Sequence, residues 1–220
     1  MMKFLDYSVV INNWPFLMLG LRETLRISSL AVTLGFCIGS FVALARLSRF
    51  QFLKLASGAY IEFIRGTPLL VQLFILYYGL PQLGIDLDRR AAAAIGLSIN
   101  SGAYVAEIVR AGIQSIDKGQ MEAARSLGMS GTAAMIHVIL PQAFRRVIPP
   151  LVNELIMLIK DSSLLSVIAL TELMRAGEHI RTRTYKDFEI FTAIALIYFV
   201  ITYTLSKILG YLERRLQTSD

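Results

Sequence analysis

A stretch without a single charged side chain, residues 27–45, restricts what this chain can fold into more than any other feature. A helix needs about 20 mostly apolar residues to cross the hydrocarbon core of a bilayer. The same test identifies five candidate spans in order along the chain: residues 21–45, 58–80, 91–112, 151–170 and 189–206. Only 17% of the 220 residues are charged, against roughly 25% in soluble domains.

We therefore expect an all-α polytopic membrane protein with about five transmembrane helices. The chain is short enough to form one domain, residues 1–220, with a membrane-spanning core at residues 19–209. Residues 1–20 are expected to form an interfacial helix, and residues 171–188 a re-entrant or surface helix between the last two spans.

A polar segment interrupts the apolar pattern between the third and fourth spans. A helix can begin there at Asp117 or Gly119, because short polar residues and glycine are favoured at helix starts. Gly128 is well placed to end this helix in a left-handed turn. Ser130 can cap a second short helix that runs to about Val138. The segment is thus predicted to be two short helices joined by a glycine.

This segment, residues 117–141, resembles the EAA loop of bacterial ABC-importer permeases. The loop's consensus is Glu-Ala-Ala, three residues, Gly, nine residues, then Ile-x-Leu-Pro, and here only Val138 departs from it. Pro141 is expected to fix the exit angle of the second helix. In that family the loop is cytoplasmic and docks on a separate ATPase. The resemblance therefore implies a set of ATPase-coupling residues: Gly119, Glu122, Ala123, Ala124, Gly128, Leu140 and Pro141.

Three blocks inside the spans are similar to the polar amino acid branch of the same family: IRGTP from residue 64, SGAYVAEIVR from residue 101, and KDSSL from residue 160. Glu62 and Arg65 lie three residues apart on one helix face and are expected to pair, as are Glu107 and Arg110. Pro68 is expected to kink the second span.

The fourth predicted span is the most polar, and Glu154 and Asp161 fall on one face of it. Two carboxylates on a buried face repel each other unless a cation lies between them. Lys160 or a substrate ammonium or guanidinium group can supply that cation, and both readings stay open. Asn100 in the third span makes either an interhelical hydrogen bond or a substrate contact. The candidate substrate-binding residues are Asn100, Tyr104, Glu154, Met157, Leu158, Asp161 and Ser163.

The resemblance implies the transmembrane subunit of an ATP-driven importer for a polar amino acid, and the two carboxylates favour a cationic one such as arginine, lysine or histidine over glutamine or glutamate. A passive channel and a non-transporting membrane scaffold are the alternatives from other classes. The chain has no GxxxxGK[ST] phosphate-binding motif. We therefore expect it not to be an enzyme and to bind no cofactor or metal, with ATP-Mg bound by the partner ATPase.

The implied partners are a second permease chain in a homo- or heterodimer, two cytosolic ABC ATPase subunits, an extracytoplasmic solute-binding protein, the amino acid and the lipid bilayer. Nucleic acid is not expected despite the net charge of +6, because the basic residues lie at span ends and in loops. The expected location is the bacterial cytoplasmic (inner) membrane. The N-terminus would lie outside and the C-terminus in the cytoplasm, since the family's loop is cytoplasmic and basic residues are slightly more frequent on that side.

Overall fold

In a computed structural model that describes residues 5–217, every regular element is helical. In chain order the α-helices are α1 (Ser8–Asn12), α2 (Trp14–Leu47), α3 (Gln51–Gly66), α4 (Leu69–Phe74), α5 (Arg89–Gln114), α6 (Lys118–Ser126), α7 (Gly131–Ala134), α8 (Leu140–Asp161), α9 (Leu173–Thr184) and α10 (Asp187–Gln217). Short π-helical turns follow α4 and α7, at Ile75–Gly79 and Met135–Ile139, and 3₁₀ turns lie at Leu80–Leu83 and Ser162–Ile168.

Three of these helices, α2, α5 and α10, are long and apolar enough to cross a membrane. Helix α3 and the segment Leu69–Leu83 together make a fourth candidate span, bent by 102° at the break between them. Helix α8 has 22 residues. It does not qualify as a candidate span by the same criteria, because it carries too many charged side chains. The all-α polytopic architecture is confirmed, and membrane crossing by α8 stays a prediction.

The predicted boundaries were wrong in two places. The first span begins at Trp14, so the last seven residues of the expected interfacial segment, 14–20, belong to α2. The fourth helix begins at Leu140 and ends at Asp161, so Pro149 and Pro150 lie inside it rather than at its start. Both prolines remove hydrogen bonds to the carbonyls of Arg145 and Arg146, four residues earlier. These two residues are exposed in the second turn of α8, where the freed carbonyls can bind water.

Helix α5 lies at the centre of the bundle. In the most apolar 18-residue stretch of each helix, 61% is buried inside the structure in α5, against 33% in α2 and 28% in α10. Gly35 and Gly39 of α2 lie against α5 so closely that an added Cβ would stand 2.7 Å from Ser101 Oγ and from Val105 Cβ, respectively. These small residues of α2 thus form the surface that packs on the central helix.

The break in the second span is bridged by a glutamine side chain. Residues 67–68 separate α3 from α4, and Pro68 has no backbone N–H to continue the ladder. Gln72 Nε2 donates to Ile64 O at 2.8 Å and to Thr67 O at 3.1 Å. Its Oε1 accepts from Asn100 Nδ2 of α5 at 3.1 Å. The kink expected at Pro68 is confirmed, and Gln72 ties it to the central helix.

The predicted connection before the last span contains α9. Glu172, which is fully buried, caps this helix by accepting hydrogen bonds from Met174 N and Arg175 N, both at 2.8 Å. The same carboxylate accepts from Tyr198 OH of α10 at 3.1 Å and from Thr24 Oγ1 of α2 at 3.4 Å. One side chain therefore joins three helices.

Candidate functional site

The first half of the polar loop has the local geometry that its sequence predicts. Asp117 caps α6, because its side chain accepts a hydrogen bond from Gly119 N at 2.7 Å. The helix ends before Gly128, whose φ of +87° lies in the left-handed region. Met129 N then donates to Ala124 O at 3.2 Å. A carbonyl at the end of α6 is thus satisfied by the loop's own backbone.

The second half of the loop differs from the prediction. Ser130 Oγ does accept from Ala133 N at 3.1 Å, as expected of a capping residue. Helix α7 has only four residues, however, and a π-helical turn leads from it directly into α8. Pro141 therefore lies in the first turn of α8 and does not set a separate exit angle. Proline is accepted there because the first N–H groups of a helix have no intrahelical partner.

A small apolar cluster fixes the loop to the two helices that it connects. Ile116, Ile139 and Ala143 are its buried members, and Met121 and Met135 pack against them. A hydrogen bond from Arg146 Nη1 of α8 to the Ser115 carbonyl, 2.6 Å long, closes the base of the loop. A displacement of the loop must therefore move the adjoining ends of α5 and α8.

The outer surface of the loop exposes apolar side chains to water. Leu127 is 85% exposed, and Ile136 is 51% exposed. Leu127 is not among the expected coupling residues; its position beside the turn glycine of a polar loop was the available signal. The predicted coupling residues divide by exposure: Ala124 is buried and Leu140 is half-buried, while the exposed ones are Gly119, Glu122, Ala123, Gly128 and Pro141.

The two carboxylates of α8, Glu154 and Asp161, lie on one side of the helix and are half-buried, whereas Lys160 is exposed. Within residues 5–217, Lys160 makes no ion pair shorter than 4.0 Å with either Glu154 or Asp161. Glu154 faces the hydroxyl of Ser101 on α5. Among the described residues this buried hydroxyl has no hydrogen-bond partner of good geometry. The polar face thus holds two carboxylates without a contacting cation, beside an unsatisfied hydroxyl.

The other candidate substrate residues are more dispersed. Asn100 is buried and already bonded to Gln72. Leu158 is 1% exposed within the main core cluster, whereas Met157 on the adjacent face is 49% exposed. Ser163 Oγ donates to Lys160 O at 2.7 Å. Among the described candidate residues, Glu154, Met157 and Asp161 follow one another at intervals of three and four residues, on one side of α8.

Two ion pairs were expected near the same end of the bundle, and one is present. Arg110 donates through Nε and Nη2 to the two carboxylate oxygens of Glu107, at 3.0 and 2.6 Å. The pair of Glu62 with Arg65 is absent from the described residues. Arg65 instead places its guanidinium 5.2 Å from the ring centroid of Tyr104, because α5 packs alongside α3 and offers an aromatic face.

Comparisons with known proteins agree with this architecture. The family model described as "Binding-protein-dependent transport system inner membrane component" matches residues 35–218. A probable glutamine ABC transporter permease of Bacillus subtilis (strain 168) is 43% identical over 98% of this chain and 100% of its own length. The arginine transport system permease of the same organism is 42% identical over 98% of this chain and 99% of its own.

A solved structure described as an amino acid ABC transporter with histidines superposes with a TM-score of 0.93 at 47% sequence identity, covering 97% of this chain and 100% of that chain. The membrane component in this family is separate from the ATPase subunit, so the chain is not itself an enzyme. The chain belongs to the family of binding-protein-dependent transport system inner membrane components, as a multi-pass permease subunit of the amino-acid ABC transporter group.

Proposed function

We propose that this permease carries a cationic amino acid through the membrane and that residues 117–141 couple it to a cytosolic ATPase. The observation that supports a cationic substrate is the pair of half-buried carboxylates, Glu154 and Asp161, with no cation in contact among the described residues. Buried charges are normally paired. A substrate ammonium or guanidinium would supply the missing charge, and Ser101 would supply a hydroxyl that lacks a well-placed partner among the described residues.

The names of the relatives support an amino acid and leave its side chain open. One relative is named for glutamine, another for arginine, and the similar solved structure for histidines. A glutamine or glutamate molecule would present only its α-ammonium group to the two carboxylates. This neutral-substrate reading is the second candidate, whereas family membership favours a transporter subunit over a passive channel or a scaffold.

Coupling is supported by the exposed apolar tip of the loop together with its firm base. Leu127 offers a side chain that a groove on the ATPase can enclose, while the cluster around Ile139 carries any motion into α5 and α8. The loop is then cytoplasmic, which sets the N-terminus outside and the C-terminus inside. ATP binding would shift the equilibrium between outward- and inward-facing states through this contact.

Assembly with a second permease chain is supported by the polar face that carries Glu154 and Asp161. Met157, which lies between Glu154 and Asp161 in α8, is 49% exposed, and Tyr104, which lies against the guanidinium of Arg65, is 37% exposed. Charged side chains next to an exposed surface are costly against lipid. A second copy or a related chain placed here would enclose the polar face and form a central pathway. An extracytoplasmic solute-binding protein would deliver the amino acid to the opposite end.

The substrate proposal is tested with Glu154→Gln in the complete transporter, reconstituted in proteoliposomes. Removing one of two carboxylates should weaken the apparent affinity for arginine, lysine or histidine by about tenfold, equivalent to about 1.4 kcal/mol. ATP hydrolysis without substrate should stay near the wild-type rate. Asp86→Asn, which removes an exposed carboxylate from the loop before α5, is the matched control.

An unchanged affinity in Glu154→Gln would overturn the assignment of this carboxylate to the substrate. Glutamine uptake that is saturated by glutamine and not inhibited by arginine, lysine or histidine would replace the cationic proposal by the neutral one.

A further inference from the structure

A cavity of about 480 Å³ lies between the end of α2, the length of α3 and the end of α5, away from the two carboxylates of α8. Arg46, Lys54, Arg65 and Arg110 contribute cations to its wall, and Glu62 and Glu107 contribute carboxylates. It is on the same side of the bundle as the polar loop, since α5 ends at Gln114 in its wall and α6 begins at Lys118.

The charges in this wall do not balance. Glu107 is bound at both oxygens by Arg110. Within residues 5–217 no ion pair shorter than 4.0 Å neutralises Arg46, Lys54 or Arg65. Arg65 and Arg46 interact with Glu107 only at longer range. Three cations against one carboxylate leave an excess of two positive charges. Like charges held together in one cavity favour the binding of an anion.

Two of these cations, Arg46 and Arg65, are held in place by a backbone carbonyl and an aromatic ring. Arg46 Nη1 donates to the Lys54 carbonyl at 2.9 Å, across the turn between α2 and α3. Gly58 makes room for the same guanidinium, because a Cβ at this position would overlap Arg46 Nη1. Arg65 is held against the ring of Tyr104. Positions fixed in this way lower the entropy cost of binding a ligand.

The residues beside the cavity indicate which anion can reach it. Phe50, Phe52 and Leu55, at the turn and in the first part of α3, are 59%, 80% and 68% exposed. Apolar side chains of this size next to basic ones are typical of a segment at the membrane–water boundary. Basic pockets between transmembrane helices on the cytoplasmic side are suited to lipid phosphate groups.

We propose that this cavity binds the phosphate headgroup of an anionic phospholipid from the leaflet on the side of the polar loop. The guanidinium of Arg46 and the ammonium of Lys54 contact the phosphate, and the acyl chains lie along the exposed apolar side chains of α3. The bound lipid would then fix α3, which leads to the break at Pro68. This proposal does not depend on which amino acid is transported.

The test is native mass spectrometry of the purified permease–ATPase complex after exchange into phosphatidylglycerol or phosphatidylcholine. The wild type should retain phosphatidylglycerol at least about tenfold better than phosphatidylcholine. The double variant Arg46→Gln, Lys54→Gln should lose that preference. The control double variant Arg22→Gln, Arg183→Gln, which removes the same charge from exposed positions elsewhere, should keep it.

A second variant keeps the test decisive if the first does not assemble. Gly58→Val leaves every charge in place but fills the space of the Arg46 guanidinium, and it should also lose phosphatidylglycerol. Equal retention of the two lipids by the wild type would overturn the proposal. So would release of phosphatidylglycerol by millimolar inorganic phosphate, which would assign the cavity to free phosphate. Lipid binding only after removal of the ATPase would assign it to an acidic surface of that partner.

Discussion

Two interruptions of the helices, one at Gly128 and one at Pro68, are satisfied in different ways. At Gly128 in the polar loop, neighbouring backbone groups close the helix end, and nothing lies within 4 Å of a Cβ added there. At Pro68 between α3 and α4, the freed carbonyls are reached by the buried side chain of Gln72. Water can solvate the first break, but the hydrocarbon core supplies no hydrogen bonds for the second.

The difference shows what each break requires of the sequence. In water, a residue that can adopt the left-handed conformation is sufficient, so the requirement is local. In the membrane, a donor must be brought to the break from elsewhere in the fold, and Gln72 then couples the break to Asn100 of α5. The membrane break is therefore expected to be the more sensitive of the two to side-chain substitution.

The largest effect should come from Gln72→Leu, which leaves the Ile64 and Thr67 carbonyls without their donor. Each unsatisfied buried polar group costs about 1–3 kcal/mol, so thermal stability of the detergent-solubilised transporter should fall markedly, and uptake with it. Gln82→Leu provides the control, since this glutamine is exposed in the following turn. A Gln72→Leu transporter as stable as the control would show that the membrane break does not depend on this side chain.

A smaller effect is expected from Gly128→Val at the break in water. A β-branched residue in the left-handed region costs about 1–3 kcal/mol, which should distort the loop while the membrane helices stay folded. The ratio of amino acid uptake to ATP hydrolysis should fall. Gly131→Val introduces the same side chain into the same loop at a glycine without positive φ; an equal loss in both variants would contradict the role given to the turn.

The smallest effect should come from Ser130→Ala, which removes the cap of α7. Loss of an N-cap costs about 1 kcal/mol, so amide hydrogen exchange should become faster in residues 131–139 without loss of assembly. Ser126→Ala is the comparison, because that hydroxyl only returns a hydrogen bond to the Glu122 carbonyl within its helix. Exchange rates unchanged by Ser130→Ala would mean that the cap does not hold the second half of the loop.

The features that could be predicted from the sequence are those set by neighbours along the chain. Asp117, Gly128 and Ser130 have the conformations expected of them because capping and turn preferences act over a few residues. The start of α8 was missed because helix continuation through Pro149 and Pro150 depends on whether exposed carbonyls can bind water.

Local sequence patterns could not predict the contacts between separate helices. Arg65 has an acidic residue three positions away, yet it lies on the ring of Tyr104, since tertiary packing placed that ring within reach. The bond from Asn100 to Gln72 joins residues 28 positions apart, and the sequence could state only that a buried asparagine needs a partner. The two carboxylates of α8 share a face as their spacing predicts, but the sequence could not show that no cation contacts them among residues 5–217.

The claim that the polar loop transmits motion from an ATPase is tested most directly by Leu127→Asp. Because Leu127 is 85% exposed, the substitution should leave the permease folded. We expect the ATPase to co-purify poorly with this variant and uptake in proteoliposomes to be lost. Leu83→Asp changes another leucine, 77% exposed in the turn after α4, and should retain the ATPase. Full co-purification and coupled uptake in Leu127→Asp would contradict the account, because the loop's exposed tip would then not be the contact that couples ATP to transport.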